Sequence, residues 1–302
     1  MPLFYTGMLQ VRNKCCVYWF RPEYDLQFSF TKRTYLISNF KEKKTYSGMI
    51  TASTAKRIRL AVDLLLQISP SKKVTNPFTK ALIQHRLSFI TLTIPETSKN
   101  YTPKYAHGKI LKPFLRYMRE KESMNTYIWK AEFQERGQLH YHITTNSVID
   151  LRIIRKYWNG LLIKNKMLES FYEKFGHYDP NSTDIHSVRK LHDIQGYLTK
   201  YLIKTEQNQT PTSGKIWDCS ANLKGKKHMS FVSEKVNDLK ILKASDCEKI
   251  KIKDLEHCGI IDCIKIKPTE LLSSEQIKKY NEYRLSIRDV KPEPMRPKVK
   301  LL

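Results

Sequence analysis

Two histidines stand one residue apart in Leu139-His140-Tyr141-His142, inside a run whose alternating composition reads as a β-strand. Side chains alternate faces along a strand, so His140 and His142 share one face while Leu139, Tyr141 and Ile143 share the other. Imidazoles about 7 Å apart along a strand can share one metal ion if a third ligand approaches from a neighbouring strand. Glu132 stands earlier in the chain, across a hairpin expected between 126–134 and 138–145. An odd-numbered loop such as Glu135-Arg136-Gly137 sets Glu132 opposite His140 on the same face, and a two-residue loop turns it away. The sequence is compatible with both, and Glu135 is the alternative carboxylate. Two imidazoles and a carboxylate suit a divalent cation such as Mg²⁺ or Mn²⁺.

A second cluster lies in Gly196-Tyr197-Leu198-Thr199-Lys200-Tyr201-Leu202-Ile203-Lys204, a tandem Tyr-Leu-x-Lys. On a helix, Tyr197, Lys200, Tyr201 and Lys204 share one face, with Ile194, Leu198 and Leu202 on an adjacent stripe suited to the core. A tyrosine hydroxyl, with a pKa near about 10, is a weak nucleophile at neutral pH. A divalent metal polarising a phosphodiester, with a lysine beside it, would help that phenol attack and leave a phosphotyrosine bond that stores the energy for rejoining. A second tyrosine one turn on could attack next.

Positioning these groups requires a sheet and helices, and the patterning supplies them. Ser53 is expected to cap a helix carrying Ile58, Ala61, Val62, Leu65 and Leu66, which Pro70 ends. A second short helix is expected from Asn76-Pro77. From residue 87 the order is strand (89–94, stopped by Pro95), helix (109–121, with Pro113 in its first turn), strand (126–134), strand (138–145), helix (150–163), strand (184–188) and helix (191–204). This predicts an α+β fold, a ferredoxin-like βαββαβ antiparallel sheet with an added helix. One face of that sheet would be covered by helices and the other left open for the histidines. The expected organisation is an N-terminal extension (1–86), the sheet domain (87–204) and a basic C-terminal extension (205–302). The last contains a charged helix over 274–287 and a proline- and lysine-rich, disordered end.

The chain has 302 residues and a formal charge of +25, from 54 Lys and Arg against 29 Asp and Glu. An excess this large points to a polyanionic partner. No apolar run approaches the about 20 residues of a membrane span, and the first residues lack the pattern of a signal peptide. Six cysteines without a CxxC pair fit reduced thiols in a cytoplasmic protein.

Three stretches resemble the motifs of the HUH endonuclease superfamily, in particular rolling-circle replication initiators of plasmids and small single-stranded DNA phages. Phe89-Ile90-Thr91-Leu92-Thr93 resembles the first, an FLTLT-type strand. Glu132 to His142 resembles the second and Tyr197-Leu198-Thr199-Lys200-Tyr201 the third, while Trp158-Asn159 falls where such initiators often carry that pair. The resemblance implies metal binding by His140, His142 and Glu132, Tyr197 as main nucleophile and Lys200 as its assisting cation. Tyr201 as a second nucleophile stays open. It implies nicking and rejoining of single-stranded DNA at a replication origin in the cytoplasm of a bacterial host. No GxxxxGK[ST] phosphate loop occurs, so unwinding falls to a separate helicase and synthesis to a host polymerase. Alternatives are a related transposase or relaxase, or a non-catalytic sheet that binds single strands by stacking bases on Tyr141 and Tyr197.

Overall fold

A computed structural model describes residues 5–13, 15–22, 49–97, 101–134, 137–187, 194–203, 214–232, 247–249, 259–262 and 268–288. Its elements begin with β1 (Tyr5–Val11), β2 (Cys15–Pro22), α1 (Ala52–Ile68), β3 (Lys72–Thr75), β4 (Leu82–His85) and β5 (Ser88–Thr97). Next come α2 (Pro103–Ala106), a π-helical turn (His107–Leu111), α3 (Lys112–Lys121), β6 (Tyr127–Phe133), β7 (Gln138–Thr145), α4 (Leu151–Lys164), α5 (Glu169–Phe175), β8 (Thr183–Ser187) and α6 (Ile194–Ile203). The remainder is β9 (Trp217–Cys219), β10 (Ser230–Val232), β11 (Cys247–Lys249), β12 (Gly259–Asp262), α7 (Pro268–Leu271) and α8 (Ser274–Arg288). The Lys- and Pro-rich end expected to be disordered lies outside the described residues.

Two compact units form, one from 1–45 with 227–285 and one from 46–226 with 286–302. The first holds an antiparallel sheet in the order β10-β1-β2-β12-β11. Leu9, Val11, Cys16 and Tyr18 alternate inward along its central hairpin and pack with Phe231, Leu271 and Leu272.

The second unit holds an antiparallel sheet in the order β8-β5-β7-β6-β9. Ile90, Leu92 and Ile94 of β5, Trp129 and Ala131 of β6, and Leu139, Tyr141 and Ile143 of β7 line one face. Ile110, Leu111, Phe114 and Met118 and, from α4, Ile154, Trp158 and Leu162 pack against them. The Trp158 indole N–H donates to the Thr93 carbonyl at 2.9 Å and ties α4 to β5. Asn159 beside it donates to Asp179 and to the Pro180 carbonyl, holding the approach to β8.

Several boundaries differ from the sequence expectation for physical reasons. The cap of α1 is Thr51, whose hydroxyl accepts from the Thr54 amide, not Ser53. No helix starts at Asn76-Pro77: the Asn76 side chain accepts from the amides of Phe78 and Thr79, and a tight turn joins β3 to β4 as a hairpin. Pro95 does not stop β5. The strand continues to Thr97 through a register shift between Ile94 and Thr97, a position where a missing ladder donor is tolerated. The helix expected at 109–121 starts earlier, at Pro103 under a Thr102 cap, and Pro113 therefore lies inside it. The π-helical turn just before Pro113 accommodates the amide that proline lacks.

Candidate metal and nucleophile site

The β6–β7 hairpin sets the site. The Gln134 amide donates to the Gln138 carbonyl at 2.9 Å and the Gly137 amide returns to the Gln134 carbonyl at 2.8 Å, with Gly137 at φ 79°. The strands are therefore separated by an odd loop, and Glu132 lies directly opposite His140. Alternation then stacks two rows across the sheet on the face opposite the hydrophobic core. One is Thr93–His140–Glu132; the other is Asp184–Thr91–His142–Lys130–Trp217.

His140 is 8% exposed. Its Nδ1 meets the Gln134 side-chain Nε2 at 3.3 Å, and its own shielded Nε2 has no hydrogen-bond partner among the described residues. Burial drives its pKa down to about 4, the nearby His142 pushes the same way, and Glu132 opposes both. The ring is therefore neutral at physiological pH, the form a ligand nitrogen must have. His142 meets the Thr91 hydroxyl at 3.2 Å through Nδ1, and its Nε2 lies 3.4 Å from Glu132 Oε2. Phe89 stacks on the His142 ring at 5.6 Å. Lys130 is buried, with Nζ 4.0 Å from the same Glu132 oxygen. The half-buried Glu132 carboxylate compensates the buried Lys130 charge there.

Among the described residues no three His, Cys, Asp or Glu side chains form a group that could hold a metal ion as they stand. The donor chemistry of Glu132, His140 and His142 nevertheless fits a divalent cation: a carboxylate, a neutral imidazole with an orphaned Nε2, and a second imidazole whose Nε2 faces that carboxylate.

The histidine face is not open as expected. Helix α1 packs against β6 yet contributes nothing to the core on the opposite face. Its Arg57 lies over the Trp217 ring, in the row that carries His142. The helix therefore covers the β6–β9 side of this face, and Ile128 and Thr144 are buried there. Toward β8 the face opens: the side chains of Asp184 and His186 are 69% and 52% exposed.

Helix α6 packs on α1. Leu198 and Leu202 are buried, as their stripe predicts, and Gln195 donates to Asp63, which also accepts from Gln67 on α1. Tyr197 is 39% exposed on this anchored helix. Lys200 and Tyr201 lie on the same helix, but their side chains, and Lys204 altogether, lie outside the described residues, as does Glu135. Tyr141 cannot stack a base: it is 1% exposed, packed edge-on against Trp129 and Trp158.

Sequence reasoning missed four contributors. Thr91 sits in the first motif, where its β-branched shape explains it as a strand former and conceals its bond to His142. Gln134 and Lys130 carry no spacing signal until the hairpin register is known, and Asp63 reads as one polar residue in an apolar helix.

No curated protein and no solved structure matches the chain. Over residues 87–206, less than half of its length but spanning both histidines and Tyr197, it matches the family described as Replication-associated protein ORF2/G2P and so resembles rolling-circle replication initiators.

Proposed function

We propose that this protein initiates rolling-circle replication by nicking and rejoining single-stranded DNA at an origin, through a covalent bond between Tyr197 and a 5′-phosphate. The observation that carries the reading is the register that sets Glu132 opposite His140, with the His140 Nε2 left without a partner among the described residues, beside His142. Residues Glu132, His140 and His142 would hold Mg²⁺ or Mn²⁺ after side-chain rotation, without a change of strand pairing. Such a cation would supply charge stabilisation at the scissile phosphate. The strand order β8-β5-β7-β6, with helices after the first and third strands in sequence, supports assignment to the ferredoxin-like HUH arrangement.

In this reading the Tyr197 oxygen attacks phosphorus and the P–O3′ bond breaks. The phenol proton is lost to solvent and the departing 3′-oxygen gains one, leaving a 3′-hydroxyl and a phosphotyrosine. Attack by a 3′-hydroxyl reverses the step and closes the strand. Lys200 assists as a cation, Lys204 extends the positive face, and Tyr201 is the candidate for a second attack. The Thr91 hydroxyl can accept from the Nδ1–H of His142, which fixes the direction of its Nε2, and Gln134, with its side-chain amide turned to present Oε1, would hold His140 in the same way. The charge of +25 favours a nucleic-acid partner, and no helix among the described residues is long and apolar enough to cross a membrane. A host helicase and polymerase would act beside it.

The test is incubation with a labelled single strand carrying the origin and Mn²⁺, followed by a denaturing gel. A DNA–protein adduct should form, vanish in Tyr197→Phe, and vanish in His142→Ala while strand binding persists. Undiminished cutting by His142→Ala would remove the metal assignment, and an adduct surviving Tyr197→Phe would move the nucleophile elsewhere.

A further inference from the structure

A cleft of about 970 Å³ lies between the β3–β4 hairpin, α4 and the edge strand β8. It is independent of the residues assigned above, and its walls have two characters. Phe78, at the hairpin turn, is 66% exposed, an unusual state for a phenylalanine, and Ile163 and Tyr178 are also solvent-exposed. Arg152, Arg155 and Lys156 enter it from α4, with the Arg152 guanidinium 5.2 Å over the Phe78 ring. Two carboxylates also line it. Asp150 is held by Arg152, and Asp179 accepts from Asn159. Lys156 is exposed and makes no ion pair among the described residues. The cleft connects to the candidate site through a row of ring contacts: His142 stacks on Phe89 at 5.6 Å, and Phe89 meets the tilted ring of His186, which lines the cleft, at 5.1 Å.

We infer that this cleft takes unpaired bases of the DNA strand flanking the scissile phosphate, with Phe78 as a stacking platform and Lys156 on the backbone. The inference rests on the proposed function for the polarity of the path, and on the cleft alone for the chemistry. Exposed flat apolar surface interleaved with cations is what a single strand needs: each base offers a π-face and each linkage a negative charge. A duplex hides the first of these, and an apolar peptide does not use the second.

Binding of a fluorescein-labelled oligothymidine of about 15 nucleotides, followed by anisotropy, tests it. Phe78→Ala should weaken binding about tenfold, and Phe78→Tyr should restore it. Lys156→Ala should make the slope of log affinity against log salt shallower by about 0.7, the contribution of one phosphate contact on a single strand. A duplex of the same length should not respond to Phe78→Ala. Wild-type affinity in both alanine variants, or equal loss on duplex and single strand, would overturn the assignment; the first result would leave the cleft to a protein partner. The nicking reading fails separately, by absence of the Mn²⁺-dependent adduct in the unaltered protein whatever the anisotropy gives.

Discussion

Thr91→Val isolates what the sheet contributes to the candidate metal site. Thr91 lies opposite His142 in the β5–β7 ladder, and its hydroxyl meets Nδ1 at 3.2 Å. Valine keeps the branched shape that suits a strand, so little but the hydroxyl is lost. A neutral hydrogen bond of this kind nets about 1 kcal/mol, which in a unit of this size lowers the melting temperature by about 2–4 °C. Its effect on a ligand is larger than its effect on the fold, because the bond fixes the ring whose other nitrogen must meet the cation. Loss of such a partner weakens metal binding about 10–100-fold. Calorimetric titration with Mn²⁺ and a thermal melt on the same protein separate the two effects. The expected result is a tenfold or greater loss of affinity with a small thermal shift, and recovery of affinity in Thr91→Ser. Wild-type affinity in Thr91→Val, or a serine variant as weak as valine, would refute the claim that this hydroxyl orients His142.

The depressed pKa of His140 makes the metal-free protein acid-sensitive. Between the unfolded value near about 6.5 and the folded value of about 4, the unfolded chain binds a proton that the folded site refuses, so stability falls as pH drops through that window by about 3 kcal/mol at most. In His140→Gln, urea midpoints from pH 7 to pH 4 should lose that part of the slope, and an unchanged slope would assign the acid sensitivity elsewhere. Trp158→Phe should destabilise the sheet unit by about 2–4 kcal/mol in urea unfolding. It orphans the Thr93 carbonyl and leaves a cavity beside Phe114 and Tyr141. A loss under about 1 kcal/mol would mean that the indole does not tie α4 to β5.

What the sequence makes legible is what is encoded locally. The span of β7, its two faces and the partition of histidines from Leu139, Tyr141 and Ile143 follow from a period of two, and the structure reproduces all three. The stripe that buries Leu198 and Leu202 and leaves Tyr197 exposed follows from the helical period in the same way. Side chains that satisfy backbone groups in more than one way are less legible. Asn76-Pro77 can open a helix or close a turn, and the Asn76 carbonyl oxygen decides for the turn by capping two amides. Least legible are contacts between distant segments. Pairing of β1 with β10 joins Met8 to Val232, and nothing near either residue announces the other. Coverage of the histidine face by α1 has the same origin: the amphipathic pattern predicts the helix but not the surface it covers.

The site's geometry is protected by residues that touch none of its chemistry. Slipping β7 by one position would bring Leu139, Tyr141 and Ile143 to the histidine face and send His140 and His142 into the hydrophobic layer. Each of those three side chains is at most 1% exposed, and burial of each contributes about 1.5–3 kcal/mol. The slip therefore forfeits about 5–9 kcal/mol before the cost of burying two imidazoles is counted. That sum is comparable with the whole stability of an ordinary domain, so the alternative register is effectively unpopulated. The odd loop at Gly137 acts in the same direction, since its hydrogen bonds close only in the pairing that sets Glu132 opposite His140. The apolar face and the turn thus specify the alignment independently. Glu132, His140 and His142 need only supply donor atoms, and this is why residues as polar as these can occupy central strands of the sheet.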